Sequence, residues 1–244
     1  MLTLEHLAWA LPTGEEILKG VDLTVADGKL TVVTGPNGGG KTSLAKLIAG
    51  LETPTAGRIV LDGEDITPLD VTERAKRGVA YAFQQPVRFK GLTVRRLLEL
   101  AAGDSLRHHE VCDLLGLVGL CARDYIDREV NASLSGGEIK RIEIATVLAR
   151  RGAHLAIFDE PEAGIDLWSF AGLIDVFERL KARGDLSMLI ISHQERILNI
   201  ADDIVVVADG AVRAHGTRDE ILPQLLDGER AASCPRGMEV LVHE

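Results

Sequence analysis

Aromatic residues make up only 4% of the 244 residues, so the core of this chain has to be assembled from leucine, isoleucine, valine and alanine. Cysteine is scarce too. Cys112, Cys121 and Cys234 are an odd count without a CxxC pair, which argues against a disulfide framework or metal knuckle and for reduced thiols. No apolar run approaches the ~20 residues that span a bilayer. The first residues also lack a basic stretch followed by a long apolar one, so no secretory signal is expected. The expected location is cytoplasmic, and a role at a membrane would need another chain to do the spanning. Positive charge is also in deficit. The net charge is −10, which argues against a nucleic acid held by bulk charge. There are no internal repeats, low-complexity tracts or long charge runs.

What remains is an ordinary globular composition, 46% hydrophobic and 26% charged, in a chain long enough to bury most of its apolar surface. Leu2–Trp9, Val21–Val25, Leu30–Thr34, Arg58–Leu61 and Val79–Phe83 read as strands, and Lys41–Ala49 as a helix. The texture changes after Pro86. Thr93–Ala102 and Val111–Leu120 carry apolar residues at helical spacing, and no strand-like run returns until Leu155. Residues 87–152 therefore read as a mostly helical insertion. Leu155–Phe158, Met188–Ile191 and Ile204–Val207 are short, continuous apolar runs, as strands covered on both faces require. A helix from about Leu167 to Ala182 separates the first two. Alternation of strand and helix predicts an α/β fold with a parallel sheet and helices on both sides. The predicted core is residues 1–86 and 153–227, and 228–244 reads as a tail without period.

Gly35-Pro36-Asn37-Gly38-Gly39-Gly40-Lys41-Thr42 satisfies GxxxxGK[ST] between a predicted strand and a predicted helix, the context that pattern needs. A triphosphate requires many donors in a small space. Glycines let backbone N–H groups turn inward, and a helix beginning at Lys41 points its positive end at the phosphates. Lys41 is expected to reach the β and γ phosphates and the Thr42 hydroxyl to bind Mg²⁺, with Ser43 beside it. Leu155–Glu160 is an apolar strand ending in two carboxylates. In such sheets ligands bind outside the carboxyl ends of the strands, which puts Asp159 within reach of Mg²⁺ and makes Glu160 the candidate acceptor of a proton from water. Leu134-Ser135-Gly136-Gly137-Glu138 opens a helix expected to run to about Arg151, with Ser135 as its cap. Its two glycines make a second candidate anion site.

At these residues the chain resembles the ATP-binding-cassette ATPases, over about residues 2 to 226. In that family Gly35–Thr42 is the Walker A loop, Leu155–Glu160 is Walker B and Leu134–Glu138 is the signature. The resemblance implies a P-loop NTPase core with an N-terminal antiparallel β part and an inserted helical subdomain. It implies that Gln84 senses Mg²⁺ and couples to a partner, that Asp166 belongs to the D-loop, that His193 contacts the γ phosphate and that Trp9 stacks on adenine. It further implies that the signature of one chain covers the nucleotide held by the Walker A loop of another. Ser135, Gly136 and Gly137 of one copy would then complete the site of its twin, in an ATP-dependent homodimer related by a two-fold axis. Gly39 departs from the family, which commonly has serine there; the backbone is what that position contributes, so little loss is expected.

Three shorter features are similar to the Suf-type iron–sulfur assembly ATPases (SufC). Lys140-Arg141-Ile142-Glu143-Ile144 resembles KRNEI, Gln194–Leu198 resembles the HYQRIL segment, and Ala82–Val87 resembles AFQYPV; Gly164 also stands where transport cassettes have alanine. Read without that resemblance, Glu143 and Arg196 are helix-surface charges. The resemblance implies a soluble SufB/SufD-like scaffold as partner, with the cluster carried on it and not on this chain's cysteines. The alternative is the ATP-binding subunit of a membrane transporter, with permease subunits as partners. No resemblance covers the tail with Cys234 and Pro235.

Overall fold

The structure is a computed structural model and describes residues 1–85, 89–131 and 133–232, apart from the side chains of Trp168 and of residues 227–232. The expected segments Pro86–Val87 and Cys234–Pro235 lie outside the described residues.

The chain opens with β1 (Leu2–Ala10), β2 (Glu16–Val25) and β3 (Leu30–Thr34), followed by α1 (Lys41–Ala49). Next come β4 (Ala56–Leu61), the two-residue β5 (Glu64–Asp65), α2 (Val71–Lys76) and β6 (Val79–Ala82). Four helices stand between β6 and the next described strand: α3 (Val94–Ala102), α4 (His108–Leu117), α5 (Ala122–Tyr125) and α6 (Gly136–Ala149). β7 (Leu155–Asp159), α7 (Leu167–Arg183), β8 (Ser187–Ile191), α8 (Glu195–Ile200), β9 (Asp203–Ala208), β10 (Ala211–Thr217) and α9 (Arg218–Ala232) complete the described elements. α4 begins and ends three residues before the expected span, and α6 stops at Ala149, short of Arg151. β10 and α9 escaped the sequence reading. β10 has no buried positions to announce it, and Pro223 interrupts α9. α9 reaches past residue 228, where the tail was expected to begin.

Two sheets result. One is antiparallel, in the order β2-β1-β4-β5; the other runs β10-β9-β3-β8-β7-β6 and is parallel except for β10. Alternation along the parallel strands divides the core in two. From β7, Ala156 and Phe158 join the buried helices α3, α4 and α6, while Leu155 and Ile157 face α1 and the antiparallel sheet. Each strand is thus apolar on both faces, which is why these runs read as continuous. The inserted helices share their buried cluster with one face of the parallel sheet.

Arg74 is the largest fully buried side chain, and the reason is local. Its guanidinium donates to the carbonyls of Leu47 and Ile48 in the last turn of α1, and to those of Thr67 and Leu69. It therefore adds donors to the carbonyls at the end of α1, where the helix supplies few of its own; Leu47 also accepts from the Gly50 N–H. Arg74→Met is expected to lower the unfolding free energy by about 3 kcal/mol, because buried acceptors lose their donor. A denaturant titration measures it, and a loss within error of zero would show that water substitutes for the guanidinium.

Candidate nucleotide site

Strand register brings the expected residues to one edge. Val33 of β3 lies opposite Ile191 of β8, Ile191 lies opposite Asp159 of β7, and Phe158 lies opposite Ala82 of β6. The loops that follow these strands, which carry Gly35–Gly40, Glu160, Ser192–His193 and Gln84, therefore leave the sheet side by side at its carboxyl end.

The glycine loop is shaped by what lies behind it. At Gly35 (φ 132°) an added Cβ would come within 2.1 Å of the Val207 carbonyl oxygen of β9, and at Gly40 (φ 101°) within 2.7 Å of the Leu18 side chain. Gly39 is equally confined: a Cβ there would stand 2.8 Å from the Val207 oxygen and 3.0 Å from that of Pro36. Glycine at 39 thus suits a loop pressed onto β9, a packing reason that sequence alone did not supply. Asn37 and Gly38 are exposed at the tip. α1 then starts without an acidic residue in its first turn, so no side chain of that turn neutralises the positive end of its dipole. Thr42 and Ser43 lie half-buried in that turn.

Lys41 is 6% exposed, and its ammonium donates to the carbonyls of Gly35 and Pro36, each at 2.8 Å. Burial pulls its pKa below the usual lysine value, against the pull of Glu160 and Asp159. Thr42 Oγ1 donates to Asp159 Oδ1 at 3.1 Å, and Tyr81 Oη donates to Asp159 Oδ2 at 2.9 Å. Burial raises the pKa of Asp159, although both hydrogen bonds oppose the rise. Glu160 has a positive φ of 43°, a conformation that L-residues adopt at a cost. Its N–H donates to the Ile191 carbonyl at 3.0 Å, and Gln84 Nε2 donates to its Oε2 at 2.5 Å. A hydroxyl and a buried carboxylate side by side at a helix start form the kind of oxygen donor set that magnesium takes together with phosphate oxygens, so the residues fit that ion.

The remaining expected residues are more dispersed. His193 is exposed, 3.4 Å through Nε2 from Gln194 Nε2. Trp9 is half-buried on β1 and packs against the core cluster of the antiparallel sheet. Asp166 is exposed and accepts from the Ser169 N–H at 3.0 Å, at the start of α7. Ser135 and Glu138 form a reciprocal capping box at the start of α6. Gly136 and Gly137 have a structural reason to be glycine beyond the one expected: an added Cβ would meet the Gly164 carbonyl at 2.7 Å and the Ser169 side chain at 2.6 Å.

Sequence reasoning missed two positioning contacts. Tyr81 is one; an alternating strand offers no sign that its hydroxyl will meet a carboxylate on the next strand. The other is Glu162, whose Oε1 accepts from Ser192 Oγ at 2.5 Å while Ser192 Oγ accepts from the Gln194 N–H at 3.0 Å. Residues on both sides of His193 are tied to the turn after Glu160. One expectation is corrected outright: Glu143 is not a surface charge. Only 14% of its side chain is exposed, and it pairs with Lys140 at 3.0 Å. Arg196 is exposed, as a helix-surface charge would be. Tyr81→Phe is expected to lower ATP turnover about threefold, since it removes one of two donors to Asp159; turnover equal to wild type would show that Thr42 alone suffices.

A glycine cradle, a buried lysine, and a hydroxyl–carboxylate pair at the carboxyl end of a parallel sheet define a nucleoside triphosphate site. The ABC transporter family matches residues 18–163. An uncharacterized ABC transporter ATP-binding protein of Methanocaldococcus jannaschii is 40% identical over 214 residues, which covers 84% of this chain and 85% of the relative. The lipopolysaccharide export system ATP-binding protein LptB of Escherichia coli is 34% identical over 225 residues, 91% of this chain and 92% of its own length. A dimeric ATP-binding cassette in a post-hydrolysis state, bound to ADP and Pi, superposes with a TM-score of 0.80 at 22% identity, over 89% of this chain and 99% of that one. The chain belongs to the ABC transporter family of ATP-binding proteins and is an ABC-type ATPase. The two sequence relatives bear transporter and export names and not Suf names, so they do not carry the finer resemblance to SufC.

Proposed function

We propose that the chain is the ATP-hydrolysing subunit of an ABC transporter and works as a head-to-tail homodimer. Among the described residues no helix is long and apolar enough to cross a membrane; in this reading the permease is a separate chain. The single observation that carries the reading is the convergence of Lys41, Thr42, Asp159, Glu160 and Gln84 at one sheet edge, in a chain 34% identical to an export ATPase over nine-tenths of its length.

In this reading Gly35, Asn37, Gly38, Gly39 and Gly40 offer backbone N–H groups to the phosphates, Lys41 leaves its carbonyls for the β and γ oxygens, and Ser43 supports the first turn. Thr42, Asp159 and Gln84 would hold Mg²⁺, which would neutralise phosphate charge. Glu160 accepts the proton of the attacking water, Gln84 orients that carboxylate and His193 meets the γ phosphate. Trp9 stacks on the adenine. Ser135, Gly136, Gly137 and the Asp166 turn of the second copy close the site, an arrangement supported by the dimeric cassette of like fold. Phe83 and Phe89 are exposed beside a recess lined by Leu97, Ile139 and Ile142. This is the surface offered to the permease.

A second reading is kept for one observation: the Lys140–Glu143 pair, at the positions that resemble the Suf-type ATPases, sits directly against Phe83. In that reading the partner is a SufB/SufD-like scaffold. Affinity purification of the tagged chain from native membranes and from the soluble fraction separates the two. Recovery of a polytopic membrane protein is expected, and recovery of a soluble scaffold alone would replace the transporter reading.

A further inference from the structure

β6 is an outer strand of the parallel sheet and ends at Ala82, so the backbone of Phe83 has left the ladder. Both of its polar groups are nonetheless taken up. The Phe83 N–H donates to Glu143 Oε1 at 2.9 Å, and its carbonyl accepts from Lys140 Nζ. Lys140 and Glu143 are joined to each other at 3.0 Å, with 2% and 14% of their side chains exposed. Both stand on α6, the helix that Ser135 begins. The next residue, Gln84, donates to Glu160 at 2.5 Å.

A buried ion pair is a poor device for stability, since desolvation offsets most of its Coulomb gain and an apolar pair would serve as well. What it does well is fix a position. Here it grips one peptide by its donor and its acceptor together, which an apolar pair cannot do. The contacts run in an unbroken line from α6 through Phe83 and Gln84 to Glu160.

We infer that Lys140 and Glu143 are positioning residues that clamp Phe83 to the signature helix and thereby set Gln84 against Glu160. The clamp is internal to one chain. Its consequence for the assembly rests on the head-to-tail reading: a nucleotide covered by the tip of α6 in one site would bear on Gln84 of the other site, so the clamp links the two sites.

The test uses the full-length protein. In Glu143→Ala, hydrogen exchange at the Phe83 amide of the nucleotide-free protein should quicken about tenfold or more, because its acceptor is gone. The same variant should lose about tenfold in kcat with the KM for ATP within about twofold, since Lys41, Thr42, Asp159 and the glycine loop are untouched and the displacement falls on Gln84 and the carboxylate it orients. Glu143→Gln, which keeps an acceptor for the amide, should recover most of kcat. Should Glu143→Ala fail to fold, Lys140→Met carries the kinetic readout. Unchanged exchange at Phe83, unchanged kcat, or a KM that rises in step with the fall in kcat would each overturn the inference. If neither wild type nor variant dimerises with ATP, the head-to-tail reading falls, while the exchange result still decides the clamp.

Discussion

Glu160→Gln should retain ATP and all but abolish its hydrolysis, with turnover reduced by roughly 10²–10⁴, the range of a lost general base. The substitution changes one atom. Glutamine fits the backbone at φ 43° no worse than glutamate, and the hydrogen bonds that hold this turn, from the Glu160 N–H to the Ile191 carbonyl and from the Ala163 N–H to the Glu160 carbonyl, are main-chain bonds. What the proposed role of Glu160 would lose is the basicity that draws a proton from water at the γ phosphate. Lys41, Thr42 and the glycine loop are untouched, so binding persists and the closed dimer, no longer released by hydrolysis, accumulates. Phosphate release measures the first effect, and light scattering with ATP the second. Turnover equal to wild type would remove Glu160 from the chemistry, and a monomer with ATP bound would remove the head-to-tail arrangement.

The parts of this site that could be read in advance are those whose chemistry demands contiguous residues. The proposed phosphate cradle needs glycines and a lysine in one turn, and the proposed magnesium carboxylate needs a strand end, so Gly35–Thr42 and Asp159–Glu160 stand out in the sequence. The contacts that orient them cross from one element to another and have no local mark. Tyr81 meets Asp159 across a strand spacing, and Glu162 meets Ser192 from one loop to the next. Glu143 shows the limit well: on a helix its charge reads as a solvated face, and only the approach of Phe83 and Lys140 explains why it is buried. Gly39 and Gly137 were expected to serve an anion, yet each is also required by a neighbour that lies far away in sequence, Val207 and Ser169. For the fold, strands apolar on both faces were legible, whereas β10, half-covered at an edge, and α9, with Pro223 inside it, were not.

Lys41→Met should do the opposite of Glu160→Gln: ATP binding weakens by about 100-fold or more, the loss typical when one partner of a desolvated charge contact is removed. The nucleotide-free protein should be little affected. There the ammonium donates to the carbonyls of Gly35 and Pro36, which are half-buried and exposed respectively, so water can replace those bonds at a cost of about 1 kcal/mol, and the lost attraction to Asp159 and Glu160 is offset in part by no longer burying the ammonium. The methionine keeps the buried stem. Thermal unfolding with and without ATP reads both states at once, because a ligand that binds only the folded protein raises stability by RT ln(1 + [L]/Kd). Wild type should gain stability with ATP, and Lys41→Met should show almost none of that gain from nearly the same starting point. An equal gain in the variant would mean that the ammonium stays on its own loop when nucleotide is present. A variant that holds ATP without cleaving it and one that cannot hold it would together assign capture to the cradle on α1 and cleavage to the strand end of β7, two functions joined by the 3.1 Å bond from Thr42 to Asp159.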